Sequence, residues 1–238
     1  IDSENKSVIG FKKSDIRIND YDWFINELNN KNAKIVFDKD FKDVFFKEFI
    51  ISHGAEFLKL KGEMHGNSEK NITLDIKDAK LSKLIPEVQN FSFKGIANGD
   101  VKLIQTKGVY KPTAGLEISD FNINEHNLGV FKLEIEGDDT FNTYKINSSI
   151  INENLKSFSA IGNVDFSPKT PQLNLDVVLQ QFNLSFFSSL GKDVVSNIRG
   201  LASGDAKLFG DYDNPDFSGE LSLDEAGLYI PYLNIDFD

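Results

Sequence analysis

The chain reads as an all-β protein, an elongated sheet built from repeated units with a few short helices. Three observations point there. Apolar and polar residues alternate in short runs, turn-forming residues interrupt those runs at close intervals, and a unit of about 100 residues occurs twice.

The clearest alternation runs from Val130 to Glu136, where Phe131, Leu133 and Ile135 face one way and Lys132, Glu134 and Glu136 the other. A period of two belongs to a half-buried strand. Ile72, Leu74 and Ile76 alternate with Thr73, Asp75 and Lys77, and Leu173, Leu175 and Val177 with Asn174 and Asp176. Leu221 and Leu223 do so with Glu220, Ser222 and Asp224. Gly66-Asn67, Asn98-Gly99-Asp100, Gly137-Asp138-Asp139, Ser167-Pro168 and Asp213-Asn214-Pro215 supply the turns between such runs.

Helical spacing is confined to short stretches. Leu81, Leu84, Ile85 and Val88 fall on one helical face, which Pro86 limits to a turn or two. Phe187, Leu190 and Val194, within Leu184 to Ser196, do likewise, and Tyr21, Phe24, Ile25 and Leu28 fit either a helix or a strand and turn.

The repeat is ordered. Phe93-Lys94-Gly95-Ile96-Ala97-Asn98-Gly99-Asp100-Val101-Lys102-Leu103-Ile104 matches Ile198-Arg199-Gly200-Leu201-Ala202-Ser203-Gly204-Asp205-Ala206-Lys207-Leu208-Phe209 at an offset of 105. Upstream, Leu74-Asp75-Ile76 matches Leu175-Asp176-Val177, each followed by a helical stretch. Downstream, Lys111-Pro112 and Gly115 match Asn214-Pro215 and Gly219. The units span Val44 to Thr143 and Tyr144 to Asp238, with residues 1 to 43 as the tail of a preceding unit. Stacked units of this kind bury one another's edges in a solenoid or groove. Roughly fourteen strands at about 4.8 Å each predict a body on the order of 65 Å long.

Composition narrows the function classes. The 238 residues are 40% apolar, enough for a sizeable interior, and 21 phenylalanines stand beside one tryptophan and one methionine. A net charge of -11 argues against a nucleic-acid partner. The absence of cysteine removes disulfides, thiolate nucleophiles and sulfur-ligated metals. No run approaches the roughly 18 to 20 apolar residues of a membrane-spanning helix. The opening Ile1-Asp2-Ser3-Glu4-Asn5 is neither an initiator methionine nor a signal peptide, which predicts a segment of a longer protein.

Chemistry-bearing patterns are missing. His53, His65 and His126 lack metal-ligand spacing, and no nucleophile elbow, phosphate loop or dinucleotide fingerprint occurs. Asp211, Asp213 and Asp216 could offer oxygens to calcium but read as a solvated hairpin turn, lacking the glycine and terminal glutamate of a calcium-binding loop. Asp138-Asp139 reads as a turn as well. The Gly95/Gly99 and Gly200/Gly204 pairs read as strand bends or bulges rather than phosphate loops. The sequence thus predicts a noncatalytic protein with no cofactor or metal.

The second unit carries Ile198-Arg199-Gly200 through Gly210, then Asn214-Pro215-Asp216-Phe217-Ser218-Gly219-Glu220-Leu221-Ser222-Leu223, then Gly227-Leu228-Tyr229-Ile230-Pro231-Tyr232-Leu233. A glycine-bracketed strand, an Asn-Pro turn, a G-x-L-x-L strand and a strand running into Ile-Pro resemble the repeat of the TamB family, within the AsmA-like group of bacterial envelope proteins. The resemblance covers roughly residues 44 to 238; the first unit keeps the glycines and Pro112 but has Asp120 to Leu128 in place of the Ile-Pro strand. It implies a curled sheet folded lengthwise into a trough with an apolar inside, in a periplasmic protein anchored in the inner membrane. It further implies phospholipid acyl chains as cargo and an outer-membrane β-barrel of the assembly-factor type as partner, through regions outside this sequence.

On that reading Ile72, Leu74, Ile76, Phe131, Leu133, Ile135, Leu173, Leu175, Val177, Leu221, Leu223, Ile230, Ile235 and Phe237 line the trough. Alternation by itself favours side chains interlocked in a closed core, and the trough comes from the resemblance. Two further functions stay open: a scaffold whose sheet edges template the strands of outer-membrane barrels, and a glycan-binding solenoid.

Overall fold

The structure, a computed structural model, describes residues 6–86, 91–189 and 195–237. Its strands are β1 (Ser7–Gly10), β2 (Ser14–Ile18), β3 (Tyr21–Ile25), β4 (Lys34–Phe37), β5 (Asp43–His53), β6 (Glu56–His65), β7 (Glu69–Lys80) and β8 (Phe93–Thr106). They continue as β9 (Val109–Ile123), β10 (His126–Gly137), β11 (Thr143–Asn152), β12 (Leu155–Asp165), β13 (Gln172–Asn183), β14 (Ser196–Asp211), β15 (Asn214–Ile230) and β16 (Ile235–Phe237). One helical turn, α1 (Leu81–Leu84), follows β7, and a 3-10 turn at Leu184–Ser189 follows β13.

All sixteen strands belong to one antiparallel sheet, which is open rather than closed into a barrel. From β5 onward each strand lies beside its neighbour in sequence. At the start, β4 pairs with the first half of β5 and β3 with Ile51 and Ser52 in its second half; β1 then adds to β4 and β2 to β3. Two compact units divide the chain: Ile1–Ile85 with Ile96–Glu117 and Glu134–Asn142, and Pro86–Gly95 with Ile118–Leu133 and Thr143–Asp238.

One open alternative is decided and one expectation corrected. Tyr21, Phe24 and Ile25 lie in strand β3 rather than a helix, and Leu28 sits in the following turn, 92% exposed. Aromatic and β-branched residues favour the pleated surface, and Asn19 and Asp20, both with positive φ, close a tight hairpin that pairs β2 with β3. Asn98-Gly99-Asp100 lies inside β8 and forms no turn. The short helices lie where the spacing places them. α1 ends before Pro86 and the 3-10 turn covers Leu184–Ser189, while Val88, Leu190 and Val194 fall outside the described residues.

Register shifts interrupt the ladders of each unit. In the first unit the ladder slips between Phe46 and Phe49, at Glu48 (φ +49°), and between Ile76 and Ala79, at Asp78 (φ +50°). In the second it slips between Ile150 and Ile151, between Leu179 and Phe182 at Gln181 (φ +47°), and twice along β14 and β15, where Asn197 and Glu225 also have positive φ. These bulges fall toward the C-terminal end of β7, β11, β13 and β15 and at the middle of β5, so each unit is bent within its own strands.

The matched repeat segments build this bend alike. The Asp78 N–H, released from the ladder, donates to Asn98 Oδ1 at 3.0 Å, and the Gln181 N–H donates to Ser203 Oγ at 2.8 Å. Asn98 and Ser203 are the matched positions of the offset-105 alignment. The neighbouring glycines follow suit. Gly99 (φ +154°) and Gly204 (φ +144°) lie so close to the next strand that a Cβ would sit 2.0 Å from Gly115 O and 2.2 Å from Glu220 O. Only glycine fits there, so these positions are strand bends.

Part of the core lies at the bend. Trp23, Ala79, Leu81 and Ala97 in the first unit, and Ile118, Phe121, Leu128, Ile150, Phe182 and Ala202 in the second, are buried near it. Ala79 pairs with Ala97, two small side chains that admit close approach, and the Phe182 ring pairs with Ala202, whose small side chain leaves it room. At the first unit's margin Glu56, at the head of β6, accepts from the Lys80 N–H at 2.9 Å and from Lys83 Nζ, tying the hairpin to α1.

Candidate functional site

Directly opposed residues of an antiparallel pair place their side chains on the same face, so the register shows which residues share a surface. In the first unit Leu58 and Leu60 of β6 oppose Ile76 and Leu74 of β7, which in turn oppose Gly99 and Val101 of β8, while Ile72 opposes Gly62 and Leu103. Phe49 and Ile51 of β5 extend the row through Leu60 and Leu58. The other face carries Lys59, Lys61, Asp75, Asp100 and Lys102, with Lys61 Nζ 2.6 Å from Asp75 Oδ2. Thr73, flanked by Lys61 and Lys102, is buried on that charged face, in keeping with alkyl stems lying over it.

The second unit repeats the division. Leu173, Leu175 and Val177 of β13 oppose Val164, Gly162 and Ala160 on one side and Gly210, Leu208 and Ala206 on the other. The row reaches Phe217 through Leu208, Leu221 through Gly204, and Leu223 through Ala202. The opposite face carries Asn163, Asn174, Asp176, Lys207, Asp205 and Glu220, with Ile161, Val178 and Phe209 interspersed among them.

This apolar surface is only partly covered. Ile72, Leu74, Ile76, Leu173 and Leu175 are half-buried, Val177 is buried, and Leu221 and Leu223 are exposed, Leu223 to 60%. Phe131, Leu133 and Ile135 alternate as half-buried positions along β10 against exposed Lys132, Glu134 and Glu136; the Phe131 ring lies 5.1 Å from that of buried Phe121. Ile230 opposes Ile235, and Phe237 opposes Leu228, so these four share a face of the β15–β16 ladder beyond the bulge at Glu225. Register thus joins Ile72, Leu74 and Ile76 in one surface and Leu173, Leu175, Val177, Leu221 and Leu223 in another, with Ile230, Ile235 and Phe237 as a separate patch.

Leu58, Leu60, Val101, Leu103, Leu208 and Phe217 belong to the same surfaces and were not picked out from the sequence. Their signal is the same alternation: Leu58-Lys59-Leu60-Lys61 and Asp100-Val101-Lys102-Leu103 each carry it over four residues, too few to stand out without the neighbouring strand.

The polar candidates make local contacts. His53 Nδ1 lies 2.7 Å from Asp22 O, His65 Nδ1 3.2 Å from Asp43 Oδ1, and His126 Nδ1 3.3 Å from Ser185 Oγ. Asp138 Oδ1 accepts from the backbone N–H of Thr140 and Asn142, and Asp211 Oδ1 accepts from Gln172. Among the described residues no group of three or more acidic or histidine side chains is placed to hold a metal ion, and no helix is long and apolar enough to cross a membrane.

Glu56 is the perturbed acid on the same hairpin. Burial pushes its pKa up, but the hydrogen bonds from Lys83 and the Lys80 N–H, with the Lys83 charge, outweigh burial and hold it below the ordinary glutamate value. It acts as a structural clamp.

No protein-family model matches this chain, and neither a curated protein nor a solved structure does. The two-faced sheet therefore carries the functional reading on its own geometry.

Proposed function

We propose that the chain is a noncatalytic lipid-shielding segment of a TamB-like, AsmA-like envelope protein, with its apolar sheet face covering phospholipid acyl chains in the periplasm between inner and outer membranes. The observation that carries the reading is the incompletely covered row of Leu, Ile and Val side chains within each unit, backed by a reverse face on which charged and polar residues predominate. Exposing two acyl chains, about thirty methylenes, to water costs roughly 25 kcal/mol at about 0.8 kcal/mol per methylene. A surface that replaces that water lowers the barrier to transit. The bends at Glu48, Asp78, Gln181 and Glu225 support a curled, trough-like cross-section for each unit.

Native mass spectrometry of the purified chain tests this. Added masses of phospholipid size are expected, lost on delipidation and regained on incubation with vesicles. A chain that stays lipid-free in the presence of vesicles overturns the reading.

A second reading has its own observation. β16 covers β15 only at Leu228–Ile230, so among the described residues the β15 edge from Asn214 to Gly227 is unpaired, as a scaffold that templates barrel strands requires. Backbone-dependent crosslinks from this edge to an unfolded barrel strand, in a chain that binds no lipid, favour it.

A further inference from the structure

We propose that a cavity at the bent margin of the second unit is a headgroup site, which takes the zwitterionic phosphoethanolamine group of a phospholipid. This rests on the lipid-shielding reading above and names the lipid class it selects. The cavity measures about 310 Å³, within the range of small-ligand pockets, and lies among the start of β10, the turn between β11 and β12, the end of β13 and the first half of β14. Asn127, Asn152, Glu153, Gln181 and Asn183 line it, with Phe182 as an apolar wall.

The hydrogen-bond inventory of this lining is the argument. Asn127 Oδ1 accepts the Gly129 N–H at 2.8 Å and Asn183 Oδ1 accepts the Ser185 N–H at 2.9 Å, which fixes both exposed carboxamides and leaves their Nδ2 donors without a protein acceptor among the described residues. Among the described residues the exposed side chains of Asn152, Glu153 and Gln181 have no protein hydrogen-bond or ion-pair partner. The site therefore offers neutral N–H donors for a phosphodiester, and one carboxylate with two further amide oxygens for an ammonium.

A phosphoethanolamine group matches that set. Its primary ammonium has three N–H donors for Glu153 and the amide oxygens, and its phosphate accepts from the Asn127 and Asn183 Nδ2 groups. The zwitterion carries no net charge, so the chain's net -11 does not repel it. A glycerol headgroup leaves the lipid anionic and places no cation beside Glu153, and a choline ammonium has no N–H to donate. The wall links the site to the acyl surface. The Phe182 ring lies 5.9 Å from that of Phe158, which opposes Leu179 in the apolar row.

Calorimetric titration of the full chain with dihexanoyl phosphatidylethanolamine, phosphatidylcholine and phosphatidylglycerol tests the proposal, with glycerophosphoethanolamine as the tail-free probe. The ethanolamine lipid is expected to bind at least roughly tenfold more tightly than the other two, and Glu153→Gln to abolish that preference. Asn183→Ala is expected to weaken the ethanolamine lipid and leave the β-type circular dichroism intact. Equal affinity for the three lipids, or a preference that survives Glu153→Gln, overturns the headgroup site. If a fluorescent acyl chain is still taken up in either case, the lipid-shielding reading stands without it. Tail-free probe binding as tightly as the lipid overturns the lipid source, and with it the link to the acyl surface.

Discussion

Leu175→Glu separates an acyl-binding surface from a merely packed one. Leu175 is half-buried in β13 between Gly162 and Leu208, in the middle of the second unit's apolar row. Fully burying a leucine is worth about 1.5–3 kcal/mol, so half-burial puts the folding cost of its loss near 1 kcal/mol; the longer glutamate can turn its carboxylate to water. An acyl chain crossing the same spot forfeits contact for about four methylenes, roughly 3 kcal/mol, or more than a hundredfold in affinity. The two losses differ enough to be told apart. Uptake of a fluorescent acyl chain gives the affinity, urea unfolding the stability and circular dichroism the fold. Asp176→Asn, on the charged reverse face, serves as the control and is expected to leave uptake unchanged. A folded Leu175→Glu chain that binds within about threefold of the parent refutes the assignment of this face to acyl chains.

Two further perturbations address the framework. Gly204→Ala places a Cβ 2.2 Å from Glu220 O at a backbone conformation reserved for glycine, and is expected to cost about 2 kcal/mol or more in urea unfolding; a change below about 0.5 kcal/mol contradicts the bend geometry. Glu56→Gln removes the anion that Lys83 needs in a pair whose side chains are only 8% and 12% exposed, and is expected to destabilise by about 2–4 kcal/mol at neutral pH. Because the folded-state pKa of Glu56 lies below its unfolded value, the unfolded chain binds the proton more readily. The stability it confers is therefore complete above the unfolded value, about 4.5, and drains away as pH falls through the lower folded one. The gap between parent and Glu56→Gln unfolding midpoints should narrow in acid; a gap that widens there is incompatible with the clamp.

The strands of β7, β10 and β13 were legible because a two-residue period is stated by consecutive residues. Ile72 to Lys77, Val130 to Glu136 and Leu173 to Val177 each show it unaided. The segment from Tyr21 to Leu28 was ambiguous because its apolar residues satisfy both periods, and the hairpin turn at Asn19 and Asp20 decides between them. Asn98-Gly99-Asp100 mimics turn chemistry, yet here glycine serves close approach between strands and Asn98 serves the bulge opposite. The bend itself was hidden. Glu48, Asp78, Gln181 and Glu225 adopt positive φ without being glycine, and nothing in a local propensity marks them. The headgroup cavity was hidden for another reason: Asn127, Glu153 and Asn183 meet only through strand pairing, far apart in sequence.

The neighbour-to-neighbour strand order bears on how the molecule is made. From β5 onward no strand waits for a distant partner, so nearly every ladder closes over a short loop, the condition under which chain closure is fast. A polypeptide delivered from its amino end can lay down each hairpin against the last as it emerges. Growth by accretion then keeps the greasy surface of an unfinished molecule to the most recent strand or two, which limits the window for aggregation during synthesis.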